Sequence, residues 1–248
     1  MPAPHPFGDP LWSLENLAQA RQLCDWMYAQ YSDAVHGAVA EVGAGIGTFS
    51  ERLLAGGAES LLLVEPEPAC ADELARHFAG DPRVELARNV LPGSPALAAR
   101  AGALDFIVCQ NVLEHIEEDL AATAAMASAL RPGGRFTILV PAHQRLFGSL
   151  DRSFGHHRRY SRPGLQAVIE SAGLDVLDLY SFNLLGVPGW WAQSRFGLQE
   201  VSARSLRTYE ALLRLWYPIE SRIRPPWGLS LIAHARRPAG ARRLTPNT

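Results

Sequence analysis

Three glycines at alternate positions, in Gly43-Ala44-Gly45-Ile46-Gly47, separate the apolar run Ala38 to Val42 from a helical pattern that begins at Thr48. Strand, glycine turn and helix in that order leave bare backbone amides at a helix start, where a flat or charged small molecule can lie. Thr48 with Glu51 three residues later has the spacing of a capping box, which predicts the helix start and aims its positive end at the turn. Past the next apolar run, Leu61 to Val64, stands Glu65, about 20 residues on, where such folds place a carboxylate for ribose hydroxyls. One turn and one acid therefore outline a nucleoside pocket. Asn89 follows a third strand, 83–87, and is either a hydrogen-bond partner for an adenine edge or a turn residue. Gln110 and Asn111 follow a fourth, Leu104 to Cys109, on the same rim.

The elements that must hold these residues alternate between strand and helix, which predicts an α/β fold with a doubly wound, mostly parallel seven-stranded sheet. An amphipathic helix from Ser13 to Tyr31 precedes the first strand, as a lid over one side of the cleft. Helices are expected over 48–55, ending at Gly56-Gly57, and from Glu67-Pro68 to about Ala79. Leu130-Arg131-Pro132-Gly133-Gly134 reads as a helix end and sharp turn before the strand Phe136 to Val140, which stops at Pro141. Ser161-Arg162-Pro163 caps a helix to about Ala172, followed by a strand from Leu174 to Tyr180 and a last strand near Trp227 to Ala235. The chain is expected to be one domain: a helical lid over 1–37, a core over 38–182 and 227–237, a helical insert over 183–226 on the acceptor side, and a tail over 238–248. Within the insert a helix is expected around Leu206 to Trp216.

Composition narrows the chemistry. Residues 1–120 hold 6 arginines and 18 acidic residues, and residues 121–248 hold 17 arginines and 7, so the halves carry −12 and +10. An acidic first half suits a cationic ligand and an arginine-bearing second half suits an anionic one. The 248 residues contain no lysine, which excludes Schiff-base chemistry. Cys24, Cys70 and Cys109 are odd in number and far apart, as buried free thiols of a reducing compartment are. With neither a secretory signal nor a run long enough to cross a bilayer, a cytoplasmic location is expected.

Written with its flanks, Glu41-Val42-Gly43-Ala44-Gly45-Ile46-Gly47-Thr48-Phe49 resembles motif I of class I S-adenosylmethionine-dependent methyltransferases. The L-x-P-G-G turn at 130–134, after the segment Leu113-Glu114-His115, resembles later motifs of the same superfamily, so the likeness runs over 38–141. The stretch Val140 to Ser161 is similar to a subgroup of bacterial methyltransferases found beside glycosyltransferases. The resemblance implies S-adenosyl-L-methionine as cofactor, held by Glu41, Gly43, Ala44, Gly45, Gly47, Glu65, Pro66, Asn89, Gln110 and Asn111. The acceptor is expected to be a small or lipid-linked hydroxyl compound, sugar-containing ones included. A nicotinamide-dependent oxidoreductase would want Gly or Ala where Thr48 stands, and a non-catalytic donor-binding module is the third reading.

Methyl transfer from a sulfonium mainly needs alignment, with a general base where the acceptor is a hydroxyl. His115, His143, His156 and His157 are the candidates, and Asp151 is placed to orient one of them. Related methyltransferases hold Mg²⁺ with an E-x-x-E-H run. Asn111 replaces its first carboxylate, so no metal is expected and His115 is read as a hydrogen-bonded structural residue. The connection after the fifth strand is about 20 residues long where 2–6 is usual. In it, Arg158 and Arg159 with His156, His157 and Tyr160 form a donor-rich patch for an anionic acceptor, or else an arginine pairs with Asp151 and staples the loop. Leu184 to Trp191 either touches a membrane interface or packs in the core. Neither an N/D-P-P-Y/F run nor a basic helix interleaved with aromatics is present, so no nucleic-acid partner is expected.

Overall fold

The computed structural model describes residues 10–196 and 203–240. Its seven strands are β1 (Gly37–Val42), β2 (Ala58–Val64), β3 (Val84–Ala87), β4 (Leu104–Gln110), β5 (Leu130–Pro141), β6 (Asp175–Phe182) and β7 (Ser230–Arg236). They form one sheet in the order β3-β2-β1-β4-β5-β7-β6. The first five are parallel, while β7 runs antiparallel to both β5 and β6. The doubly wound, mostly parallel expectation holds, with β7 as the reversed strand.

The helices are α1 (Pro10–Gln19), α2 (Arg21–Ala29), α3 (Ser50–Ala55), α4 (Pro68–His77), α5 (Pro95–Ala98), α6 (Asp119–Ala129), α7 (Ser149–Ser153), α8 (Arg162–Ser171), α9 (Gly186–Arg195) and α10 (Ala203–Ile223). They cover both faces, so the central strands are apolar throughout. Alternate residues go opposite ways: Leu62, Val64, Ile107 and Cys109 join the cluster with Met126 and Leu165 of α6 and α8. Leu61, Leu63, Phe106 and Val108 join Tyr31, Leu53 and Leu74 on the other face. A third cluster ties Trp26 of α2 to Phe182 of β6 and Leu213 of α10.

Several local expectations give way to longer-range contacts. The single helix over 13–31 is two, broken at Ala20 (φ −78°, ψ 64°), because the carboxylate of Glu210 in α10 accepts from the amides of Gln22 and Leu23 and caps α2 from outside. The Thr48–Glu51 capping box does not form: α3 begins at Ser50 without a side-chain cap, and Glu51 bonds His77 instead. The L-x-P-G-G turn is a bulge inside β5, since Leu104 pairs with Leu130 and Phe106 with Arg135, so residues 131–134 loop out. Arg237 closes that loop through Gly133 and Gly134. Ser161 caps α8 as expected, accepting from the Gly164 amide.

The insert leaves β6 at Asn183 and returns through Gly228, and α10 within it is longer than expected, carrying Pro218 inside. Glu220 is buried and accepts from the Leu184 amide and from Trp216 Nε1, at 2.6 Å, which joins α10 to the start of α9. Of the tail, residues 241–248 lie outside the described residues. At Gly228 a Cβ would stand 2.4 Å from the carbonyl oxygen of Phe182 and 2.6 Å from its nitrogen, so there is no flexible neighbour to yield. Gly228→Ala should therefore destabilise the fold by about 1–3 kcal/mol, seen as a lower urea midpoint at unchanged slope.

Candidate active site

Strand order reverses between β1 and β4, and in open α/β sheets the crevice at that switch point, beyond the carboxyl ends, takes ligands. Val42 pairs with Val64 and with Cys109, and Val64 with Ala87, so the four strand ends are level. That brings Glu41, the turn 43–47, Glu65, Asn89, Gln110 and Asn111 to one rim. Gly43 (φ 76°) has no room for a side chain, since a Cβ there would stand 2.1 Å from Val112 Cγ2.

Glu65 fixes the turn. Its Oε2 accepts from the Gly45 amide at 2.7 Å and its Oε1 from the Glu67 amide at 3.0 Å, leaving further lone pairs on both oxygens. Ala44 is buried in the turn and Pro66 is exposed beside Glu65. Glu41 is buried one layer below, where Ser50 donates to its Oε2 at 2.5 Å. Burial raises the Glu41 carboxyl to about 8, against the Ser50 bond, and burial also raises Glu65 against its two amides. Gln110 donates to the Tyr31 hydroxyl at 2.9 Å, while its buried Oε1 has no partner among the described residues. Asn111 takes a positive φ of 51° at the strand end. Asn89 is half-buried past β3.

A second cluster adjoins the first, because Val112, which packs on Gly43, is followed directly by Leu113, Glu114 and His115. Asp151 of α7 is completely buried and takes four donors: Gly148 N (2.9 Å), His156 Nδ1 (3.0 Å), Arg159 Nε (2.7 Å) and, on its carbonyl, the His156 amide (2.9 Å). Burial works against the Asp151 charge, but His156, Arg159 and the Gly148 amide hold the carboxyl below its ordinary range. His156 Nε2 lies 3.9 Å from Oε1 of Glu114, itself fully buried with both oxygens lacking a hydrogen-bond partner among the described residues. Burial pushes Glu114 up to about 8. The His115 ring meets His156 edge-on at 4.7 Å. His115 is exposed, and desolvation of its ring, with His156 and His157 nearby, moves it below the ordinary histidine range. One ligand atom each from Glu114, His115 and His156 lie within 4.8 Å of one another.

The donor-rich patch at 156–160 is corrected in part. Arg159 is buried, bonded to Asp151 and to the Ala142 carbonyl (3.1 Å), and covered by the Trp190 ring at 4.8 Å. Arg158 pairs with Asp119 (2.9 Å) and bonds the Glu117 carbonyl. Both arginines are staples: Arg159 answers the buried charge of Asp151, and Arg158 ties the loop to the partly exposed Asp119 at the start of α6. Tyr160 is buried and donates to Asp119 at 2.8 Å, anchoring the loop to α6. His143 (φ 63°) stacks on Trp227 at 4.5 Å. His157 is exposed and its amide bonds the Glu114 carbonyl. Within Leu184 to Trp191 the two tryptophans divide: Trp190 packs on Phe154 and Arg159, and Trp191 faces out. No site role is readable in the sequence for Ser50 or Tyr31, since each acts across elements, although Ser50 has the signal of a small hydroxyl just after the glycine turn; Trp190 is read there only within the stretch Leu184 to Trp191.

The family model described as a methyltransferase domain matches residues 16–179, most of the chain, and the chain belongs to that family. The domain is therefore a methyltransferase domain. A relative named ubiquinone biosynthesis O-methyltransferase, from Xanthomonas axonopodis pv. citri (strain 306), is 27% identical over 154 residues, 57% of this chain and 64% of the relative. The chain thus matches under two thirds of that relative's length. Among solved structures, an S-adenosylmethionine-dependent methyltransferase from Mesorhizobium loti superposes with a TM-score of 0.59 at 16% identity, covering 86% of this chain and 98% of that one. The [4+2]-cyclase SpnF superposes at 0.57 with 18% identity, covering 89% and 82%. At such identities the likeness is one of fold.

The residues at the first rim fit S-adenosyl-L-methionine, the cofactor that the motif resemblance implies: two buried carboxylates with raised proton affinity suit a cation, and the Gln110 oxygen left without a partner among the described residues is an acceptor awaiting a donor. Arg159→Met should lower stability by about 3–5 kcal/mol by leaving Asp151 buried without its cation, read as an early melt in calorimetry.

Proposed function

We propose that this chain methylates a hydroxyl of a small or lipid-linked, sugar-containing acceptor, with S-adenosyl-L-methionine as methyl donor and His156 as the proton-accepting group. The observation that carries the reading is the Asp151–His156 contact beside the donor rim. With Nδ1–H directed at Asp151 at 3.0 Å, Nε2 is left as the basic nitrogen, and a buried carboxylate stabilises the imidazolium that forms. His115 lines the approach to it, and Tyr160 holds the loop in place.

The cofactor supplies a methyl carbon bonded to a sulfonium sulfur. Glu41, Gly43, Ala44, Gly45, Gly47, Glu65, Pro66, Asn89, Gln110 and Asn111 are the residues proposed to hold it, Glu65 through the lone pairs its amides leave free. The relative's name, an O-methyltransferase, agrees with a hydroxyl acceptor. Incubating extracts with isotope-labelled cofactor and the purified chain, then identifying labelled products by mass spectrometry, tests the acceptor class. Label on nitrogen or carbon alone would refute it. On the acceptor so found, His156→Ala should lower kcat by about 10²–10⁴ while leaving cofactor affinity near the parent value.

A second reading has its own observation. Both oxygens of Glu114 are buried and without a hydrogen-bond partner among the described residues, and with His115 and His156 they outline a site for a divalent ion, in which Asp151 would fix the His156 tautomer. Titration calorimetry with Mn²⁺ and Zn²⁺ separates the readings: heat that Glu114→Gln abolishes, together with chelator-sensitive turnover, favours the ion, and activity indifferent to chelator favours His156 as base.

Glu41 also gives a pH dependence. Its carboxyl sits near 8 without cofactor, so the empty fold is most stable with Glu41 protonated and loses that contribution as pH rises towards 8. A cation favours the ionised form. Cofactor affinity should rise with pH by up to about tenfold per unit between 6 and 8 and level off above, with proton release on binding, and Glu41→Gln should flatten the slope. Calorimetry in buffers of different ionisation enthalpy measures both.

A further inference from the structure

We infer that the outer face of α10 is a docking surface for an anionic lipid bilayer. Leu212, Leu215, Ile219 and Ile223 recur at intervals of three and four along this helix, the spacing of one continuous stripe. That stripe faces water: Leu215 is 75% exposed, Ile223 57%, Leu212 50% and Ile219 48%. Core packing does not account for it, because Leu213 and Glu220 already bury the inner face against β6 and the start of α9. Large apolar side chains lying in register on an exposed helix mark an interaction surface.

The charges choose the partner. Arg204, Arg207 and Arg222 lie along one flank of the stripe with Arg214 beyond them, and all four are exposed. The two acids of the helix do not offset them at the surface: Glu210 accepts from the amides of Gln22 and Leu23, and Glu220 is buried under Trp216. A second copy of the chain would be a poor occupant, since two antiparallel helices related by a two-fold axis bring like flanks together, arginines against arginines. An anionic bilayer offers hydrocarbon to the stripe and phosphates to the flank at once.

The apolar surface continues beyond α10. Trp216 and Leu184, Leu185, Val187 and Pro188 line an open cavity of about 260 Å³ between α9 and α10, large enough for part of an acyl chain. No described helix is long and apolar enough to cross a membrane, so the contact is one of lying on the surface. The inference does not depend on which acceptor is methylated.

Flotation of the full chain with vesicles tests it. Binding to phosphatidylcholine vesicles holding about 30% phosphatidylglycerol, weak binding to pure phosphatidylcholine, and loss as salt rises are expected. Leu215→Glu/Ile219→Glu should lower partitioning about tenfold or more, and Arg207→Glu/Arg214→Glu should weaken it on anionic vesicles only. All four positions are exposed, so cofactor affinity and melting temperature should match the parent. A parent that stays in the aqueous fraction, or retention unmoved by both variants, overturns the inference. So does a parent that sediments as a dimer which Leu215→Glu dissociates, since the face would then belong to a second copy.

Discussion

A carboxylate shut away from water must be satisfied on nearly every lone pair, and Asp151 meets that demand by drawing the whole connection after β5 around itself. Gly148 comes from the start of α7, His156 and Arg159 from the far side of the loop, and Arg159 in turn reaches back to Ala142 and sits under Trp190 of α9. Five separated points of the chain are thereby fixed by one charge. The same bonds set the orientation of His156, so the loop's stability and the site's geometry are not separable quantities.

The two halves of the site are held by different physics. On the cofactor side the sheet does the positioning: parallel register brings strand ends level, and Glu65 needs only two amides to lock the turn. On the acceptor side the backbone contributes an isolated bridge between Ala142 and Tyr160 and the His157 amide on Glu114, and buried ion pairs and aromatic cover add the rest of the order.

That division explains what could be read from the residues alone. Leu61 to Val64 and Phe106 to Cys109 announce buried parallel strands, and Glu41, Gly43 and Glu65 mark the rim, because strand periodicity and glycine spacing are local signals. Arg159 was legible only as one of two alternatives, since nothing in His156 to Tyr160 tells whether a guanidinium turns inward or outward. The capping box failed for a related reason: Ser50 is drawn to Glu41 and Glu51 to His77, so tertiary partners outbid the local motif. Glu210 breaking the first helix from across 188 residues is beyond any window of sequence.

The reversed strand β7 has a consequence for how such a chain can change. It lies hydrogen-bonded to β6 from Ser230 against Phe182 onward, so the insert begins and ends at two points held side by side, like the stem of a hairpin. Loop-closure entropy grows only with the logarithm of length, about 0.6 kcal/mol for each doubling. A segment hung from a closed stem can thus be lengthened, shortened or exchanged at almost no entropic penalty to the sheet. What an exchanged segment must keep is the inner face of α10, because Glu210 caps α2 and Leu213 packs in one cluster with Trp26 and Phe49, beside the turn at Gly43 to Gly47.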